Sequence, residues 1–93
     1  MRFAVISRKD PLSEKIKLEL VNKLTQHKWH LDGEQPILVI SVGGDGTMLE
    51  AFHRYRHLLS QVAFVGVHTG RLGFYADWRP TELDTLVRFI IEE

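Results

Sequence analysis

Apolar residues fall along this chain in two rhythms. Residues 3–7, 37–42 and 62–67 are short, nearly continuous apolar runs rich in β-branched side chains. Such runs predict strands, and unbroken ones predict strands covered on both faces. Between and after them, apolar side chains recur every three or four residues. Leu12, Ile16, Leu20 and Leu24, with Val21 beside them, make one stripe; Met48, Phe52, Tyr55 and Leu59 make a second; Leu83, Leu86, Val87 and Ile90 make a third. Each stripe predicts an amphipathic helix with one face on a sheet. Punctuation agrees: Asp10-Pro11 is an N-cap followed by proline at the first helical position, Thr47 and Glu50 fit a capping box, and Pro80-Thr81-Glu82 opens the last helix. Residues 29–31 read as a short strand, and residues 32–36 as a Gly/Pro-marked loop. Strands alternating with helices predict an α/β domain: a three-layer α-β-α arrangement, Rossmann-like or flavodoxin-like, around a mostly parallel sheet.

Composition narrows the class without changing that picture. At 93 residues the chain is one domain at most. Twelve basic residues balance twelve acidic ones, so there is no basic footprint for nucleic acid. The absence of cysteine removes disulfide frames and thiolate metal sites, and is compatible with a reducing cytoplasm, the expected location. The N-terminal apolar run is too short for a signal peptide, and no run approaches the about 18 apolar residues of a membrane span. No membrane or nucleic-acid partner is expected.

The chemistry concentrates where the 37–42 run stops, at Gly43-Gly44-Asp45-Gly46-Thr47. Strand, tight loop and helix follow one another there. Adjacent glycines let a ligand come close to the backbone, and the loop opens onto the free N–H groups of a helix start, where anions bind well. Asp45 would repel a phosphate, so it needs another reason to be there: holding a metal, accepting a hydrogen bond from a hydroxyl, or taking a proton. A turn or cap role is the plain alternative. No lysine follows the glycines, and their spacing is not G-x-G-x-x-G, which excludes both common phosphate-loop patterns. In parallel sheets ligands bind at the carboxyl ends of the strands, and a second glycine loop, which begins at Gly66, follows the 62–67 run at the same end.

The Gly43–Thr47 block resembles that of the NAD kinases and, more distantly, those of the diacylglycerol and sphingosine kinases and the phosphofructokinases. The second loop, Gly66-Val67-His68-Thr69-Gly70-Arg71-Leu72-Gly73-Phe74-Tyr75-Ala76-Asp77-Trp78, is similar to that of the NAD kinases of Gram-positive bacteria. The resemblance implies transfer of the γ-phosphoryl group of ATP to the 2′-hydroxyl of the adenosine ribose of NAD. Asp45 becomes the catalytic residue, placing that hydroxyl and accepting its proton. Gly43, Gly44, Gly46 and Leu49 become the nucleotide-facing loop, and Leu72, Gly73, Phe74 and Tyr75 the adenine-side wall. NAD and ATP are the expected small-molecule partners, with Mg²⁺ or another divalent metal accompanying ATP and no protein metal site assigned. Thr47 is open between a phosphate contact and a cap, His68 is expected to make structural hydrogen bonds, and Arg71 is left outside the site.

The chain stops inside a helical pattern, whereas the family continues into a larger, mostly β domain. Residues 1–93 are therefore expected to be an N-terminal nucleotide-binding α/β domain, inactive alone, from a protein that forms a homo-oligomer. Two other readings remain at this point: a lipid-kinase module sharing the GGDGT block, and a non-enzymatic flavodoxin-like binding domain. His53 and His57 are spaced i, i+4, yet no neighbouring acid completes a zinc motif.

Overall fold

The 37–42 run becomes strand β3 (Leu38–Gly43), and all of its residues are buried because it is an inner strand with helices on both faces. The computed structural model describes residues 1–69 and 78–92. Strands β1 (Arg2–Ser7), β2 (His30–Leu31), β3 and β4 (Ala63–His68) form one sheet in the order β2-β1-β3-β4, and every neighbouring pair is parallel. Helices α1 (Pro11–Gln26), α2 (Asp45–Arg54) and α3 (Leu83–Glu92) cover it. Alternate strand residues face opposite layers. Phe3, Val5, Ile40, Val42 and Val67 pack with Ile16, Leu20 and Leu24 of α1 and Leu83, Leu86, Val87 and Ile90 of α3. Ala4, Ile6 and Val39 face the other way and pack with Ala51, Tyr55 and Leu58. This is the expected three-layer α-β-α domain.

Two helical stripes differ from their sequence reading. In α1 the buried positions are Ser13, Ile16, Leu20 and Leu24, while Leu12 is 46% exposed. A helix advances about 100° per residue, so Ser13 lies about 20° from Leu20 around the axis and Leu12 about 80° away. A strict four-residue period drifts off the buried face. In the second stripe, α2 ends at Arg54 and a tighter 3₁₀ turn follows at Arg56–Leu58. The change of pitch turns Leu58 inward and leaves Leu59 half exposed. Tyr55, buried at the junction, donates its hydroxyl hydrogen to the Gly33 carbonyl at 2.7 Å and ties the 32–36 loop to the end of α2.

The strand order decides where a ligand can sit. From β1 the chain goes to β2 on one side, and β3 and β4 lie on the other. The carboxyl ends of β1 and β3 therefore open a crevice where the order reverses, the usual ligand position in such sheets.

Candidate functional site

The GGDGT block lies at that crevice. Gly43 is the last residue of β3, Gly44 is extended and caps α2, and Asp45 is the first helical residue. Thr47 and Glu50 do not form the expected capping box. The helix begins three residues earlier, the Gly44 carbonyl accepts from the N–H groups of both Thr47 and Met48 at 3.1 Å, and Thr47 is buried within the first turn. Its hydroxyl packs beneath Gly43. A Cβ at Gly43 would collide with that hydroxyl and would stand 3.0 Å from Thr47 Cβ and 3.1 Å from Arg8 Cβ. Gly43 is thus a glycine for packing reasons. Gly46 has no such neighbour among the described residues: a Cβ there would meet nothing outside its own turn within 4 Å. Leu49 is 51% exposed on the outer side of α2, so it is not a core residue despite its helical spacing.

Those two glycines give opposite predictions. Gly43→Ala should cost about 1–3 kcal/mol of stability through overpacking against Thr47 and Arg8, read as a lower urea midpoint. Gly46→Ala should keep or slightly raise stability, by up to about 1 kcal/mol, because alanine is the better helix former.

The loop after β1 completes the crevice through residues that the sequence did not mark as part of a site. Arg8 continues the ladder, its backbone N–H donating to the Val42 carbonyl at 2.8 Å. Its Nε donates to Asp10 Oδ2 at 2.6 Å and its Nη2 to Thr69 Oγ1 at 3.2 Å. Asp10 is the expected cap of α1, accepting from the Ser13 N–H at 2.9 Å and the Ser13 hydroxyl at 3.0 Å. Ser13 and Thr69 hydroxyl oxygens stand 2.8 Å apart. A strand followed at once by Ser7-Arg8-Lys9-Asp10 at a switch point is the signal that points to this loop; nothing local in the sequence points to Thr69.

Hydrogen bonding from the Arg8 guanidinium first, then from the Ser13 backbone, holds the Asp10 carboxyl down from 3.8 to about 2. A carboxyl whose folded pKa is depressed stabilises the fold fully above its unfolded pKa and loses that contribution as pH falls toward the folded value. The melting-temperature advantage of the parent over Asp10→Asn should therefore be constant above about pH 4 and shrink between about pH 4 and 2. A pH series of thermal melts of both proteins checks this.

The second loop is anchored beside the first at both ends. Thr69 N–H donates to the Gly43 carbonyl at 2.9 Å. Trp78 N–H donates to the Gly66 carbonyl at 2.8 Å, and the Trp78 carbonyl accepts from the His68 N–H at 3.0 Å. The expectations for Arg71, Leu72, Gly73, Phe74 and Tyr75 fall outside the described residues. His68 is bound through its backbone; among the described residues neither of its ring nitrogens has a hydrogen-bond partner, so the expected side-chain bonds are not found there. His53 lies in α2 but His57 lies in the 3₁₀ turn beyond it, so the pair does not share a regular helix face.

Residues 9–93, which include both loops, match the family model described as the ATP-NAD kinase N-terminal domain. This chain belongs to the ATP-NAD kinase family. It is 51% identical over 87 residues to an NAD kinase of Staphylococcus epidermidis, covering 94% of this chain and 32% of that protein. It is similarly 52% identical to an NAD kinase of Staphylococcus aureus, over the same shares. The chain thus spans about a third of the length of the curated relatives it matches. As an ATP-NAD kinase domain, it places its own Gly43–Thr47 block at the switch point of its sheet. Among the described residues, no helix is long and apolar enough to cross a membrane.

Proposed function

We propose that the complete protein carrying this domain is an NAD kinase that moves the γ-phosphoryl group of ATP to the 2′-hydroxyl of the adenosine ribose of NAD, giving NADP and ADP. Gly46 carries the reading. It occupies the second position of α2, where alanine would suit the helix better, and among the described residues nothing outside its own turn lies near enough to require a glycine. A ligand resting against the backbone accounts for it, and family membership says which ligand is expected.

In this reading the Asp45 carboxylate accepts the hydrogen bond of the ribose 2′-hydroxyl and takes its proton as the oxygen attacks the γ-phosphorus. A bond forms from that oxygen to phosphorus, the bond to the β,γ-bridging oxygen breaks, and ADP leaves. Asp45 is the first residue of α2, two residues beyond the end of β3, which supports a fixed place for it at the carboxyl end of the sheet. Phosphoryl transfer depends chiefly on such positioning and on charge neutralisation. A divalent cation bound with the ATP phosphates would supply part of that neutralisation; no residue of this chain is assigned to it. The exposed Leu49 offers an apolar surface beside the loop, and Leu72, Gly73, Phe74 and Tyr75 are proposed as the adenine-side wall.

The domain is proposed as the N-terminal, nucleotide-facing part of a cytoplasmic homo-oligomer, and as inactive alone because the rest of the site lies in the remaining two-thirds of the protein. The test is an assay of the complete protein with ATP–Mg²⁺ and either NAD or diacylglycerol as acceptor. NADP formation supports the reading; phosphorylation of the lipid, or of neither, overturns it. With NAD as acceptor, Gly46→Ala should fold like the parent and lose about tenfold or more in kcat/KM, because a methyl group would stand where the ligand approaches.

A further inference from the structure

Arg8 is built into the crevice in a way its ion pair does not explain. Its backbone is fixed to β3, its Cβ lies 3.1 Å from the Cβ position of Gly43, and its Nη1 lies 3.9 Å from that of Gly44. The side chain therefore runs along the two glycines that lead into Asp45. Asp10 holds Nε and Thr69 holds Nη2, so the guanidinium is gripped from the β1 loop and from the end of β4. Surface arginines ordinarily sweep through many rotamers, and this one, with its side chain 49% exposed, is held in one. The Asp10 cap is already satisfied by Ser13. The pair accounts for Nε and the clamp for Nη2; among the described residues Nη1 has no hydrogen-bond partner. A guanidinium with a free planar edge suits phosphate oxygens.

We infer that Arg8 is a phosphate-binding residue of this site, oriented by Asp10 and Thr69 so that its Nη1 edge meets the phosphates of a nucleotide lying along Gly43 and Gly44. The inference rests on the nucleotide reading above. The shared chemistry is a nucleotide di- or triphosphate, and kinetics separates the dinucleotide from the phosphoryl donor.

The experiment compares the complete enzyme with Arg8→Met and Arg8→Lys, measuring KM for NAD and for ATP, kcat, and their dependence on ionic strength. Arg8→Met should raise one KM about tenfold or more while kcat stays within about threefold. The affected substrate identifies whose phosphates Arg8 holds. That KM should also lose part of its salt dependence, which a purely structural role would not change, and Arg8→Lys should recover part of the loss. Both KM values within about twofold of the parent in Arg8→Met overturn the inference. Should the variants fail to fold, the NMR signal of the parent's Arg8 Nε–H on titration with inorganic pyrophosphate decides: a saturable shift absent with adenosine supports the role, and no shift overturns it. A parent that makes no NADP defeats the kinase reading, while the pyrophosphate titration still reports on Arg8.

Discussion

Asp45→Asn in the complete enzyme should fold and melt like the parent and yet make NADP at least about 100 times more slowly, the scale expected for losing a positioned proton acceptor. The substitution keeps size and the ability to accept one hydrogen bond from a hydroxyl, so binding of NAD should change much less than turnover. A loss in kcat with little change in the KM for NAD is the signature of an interaction that matters in the transition state. Asparagine is also accepted in a first helical turn, so α2 should not be the casualty. Steady-state kinetics beside thermal melting of both proteins checks this. A variant with near-parental kcat would leave Asp45 as a turn residue and move the proton to another group.

Phe3→Ala should remove about 3–5 kcal/mol of stability, the range for emptying a fully buried aromatic site. Phe3 is 0% exposed on β1, an inner strand, and its ring meets Trp29 edge-on with centroids 6.4 Å apart. It packs in the cluster that joins β1 to Leu20 and Leu24 of α1. The loop bearing Arg8 and Asp10 springs from this strand, so the substitution loosens the site as well as the core. Leu12→Ala is the contrast: at 46% exposure it should cost no more than about 0.5 kcal/mol. Urea midpoints of the two variants test the buried face of α1, because a stripe of Leu12, Ile16, Leu20 and Leu24 would make both substitutions costly.

The main elements and their order were legible because β1, β3 and β4 are nearly continuous apolar runs and each helix carries a stripe. What misled was phase and local chemistry. Leu12 fits a four-residue period but a 3.6-residue helix buries Ser13 in its place. Thr47 and Glu50 have capping-box spacing, yet the glycines before them let α2 start at Asp45. The glycine-aspartate block was recognisable because strand, loop and helix follow each other without a break. The clamp on Arg8 was not, because Thr69 is 61 residues away and only the parallel pairing of β3 with β4 brings it alongside. Asp10 shows both sides of this: its cap could be read from Asp-Pro spacing, whereas its depressed pKa depends first on how Arg8 turns back toward it.

In the proposed function the adenosine ribose of NAD rests on the Gly43–Gly46 loop with its 2′-hydroxyl on Asp45. A crystal structure of the complete protein with NAD tests it most directly. The 2′-oxygen should lie about 2.6–3.2 Å from an Asp45 carboxylate oxygen, hydrogen-bond reach for a proton acceptor. A ribose bound away from this loop, or an Asp45 carboxylate turned away from it into the helix, would contradict it.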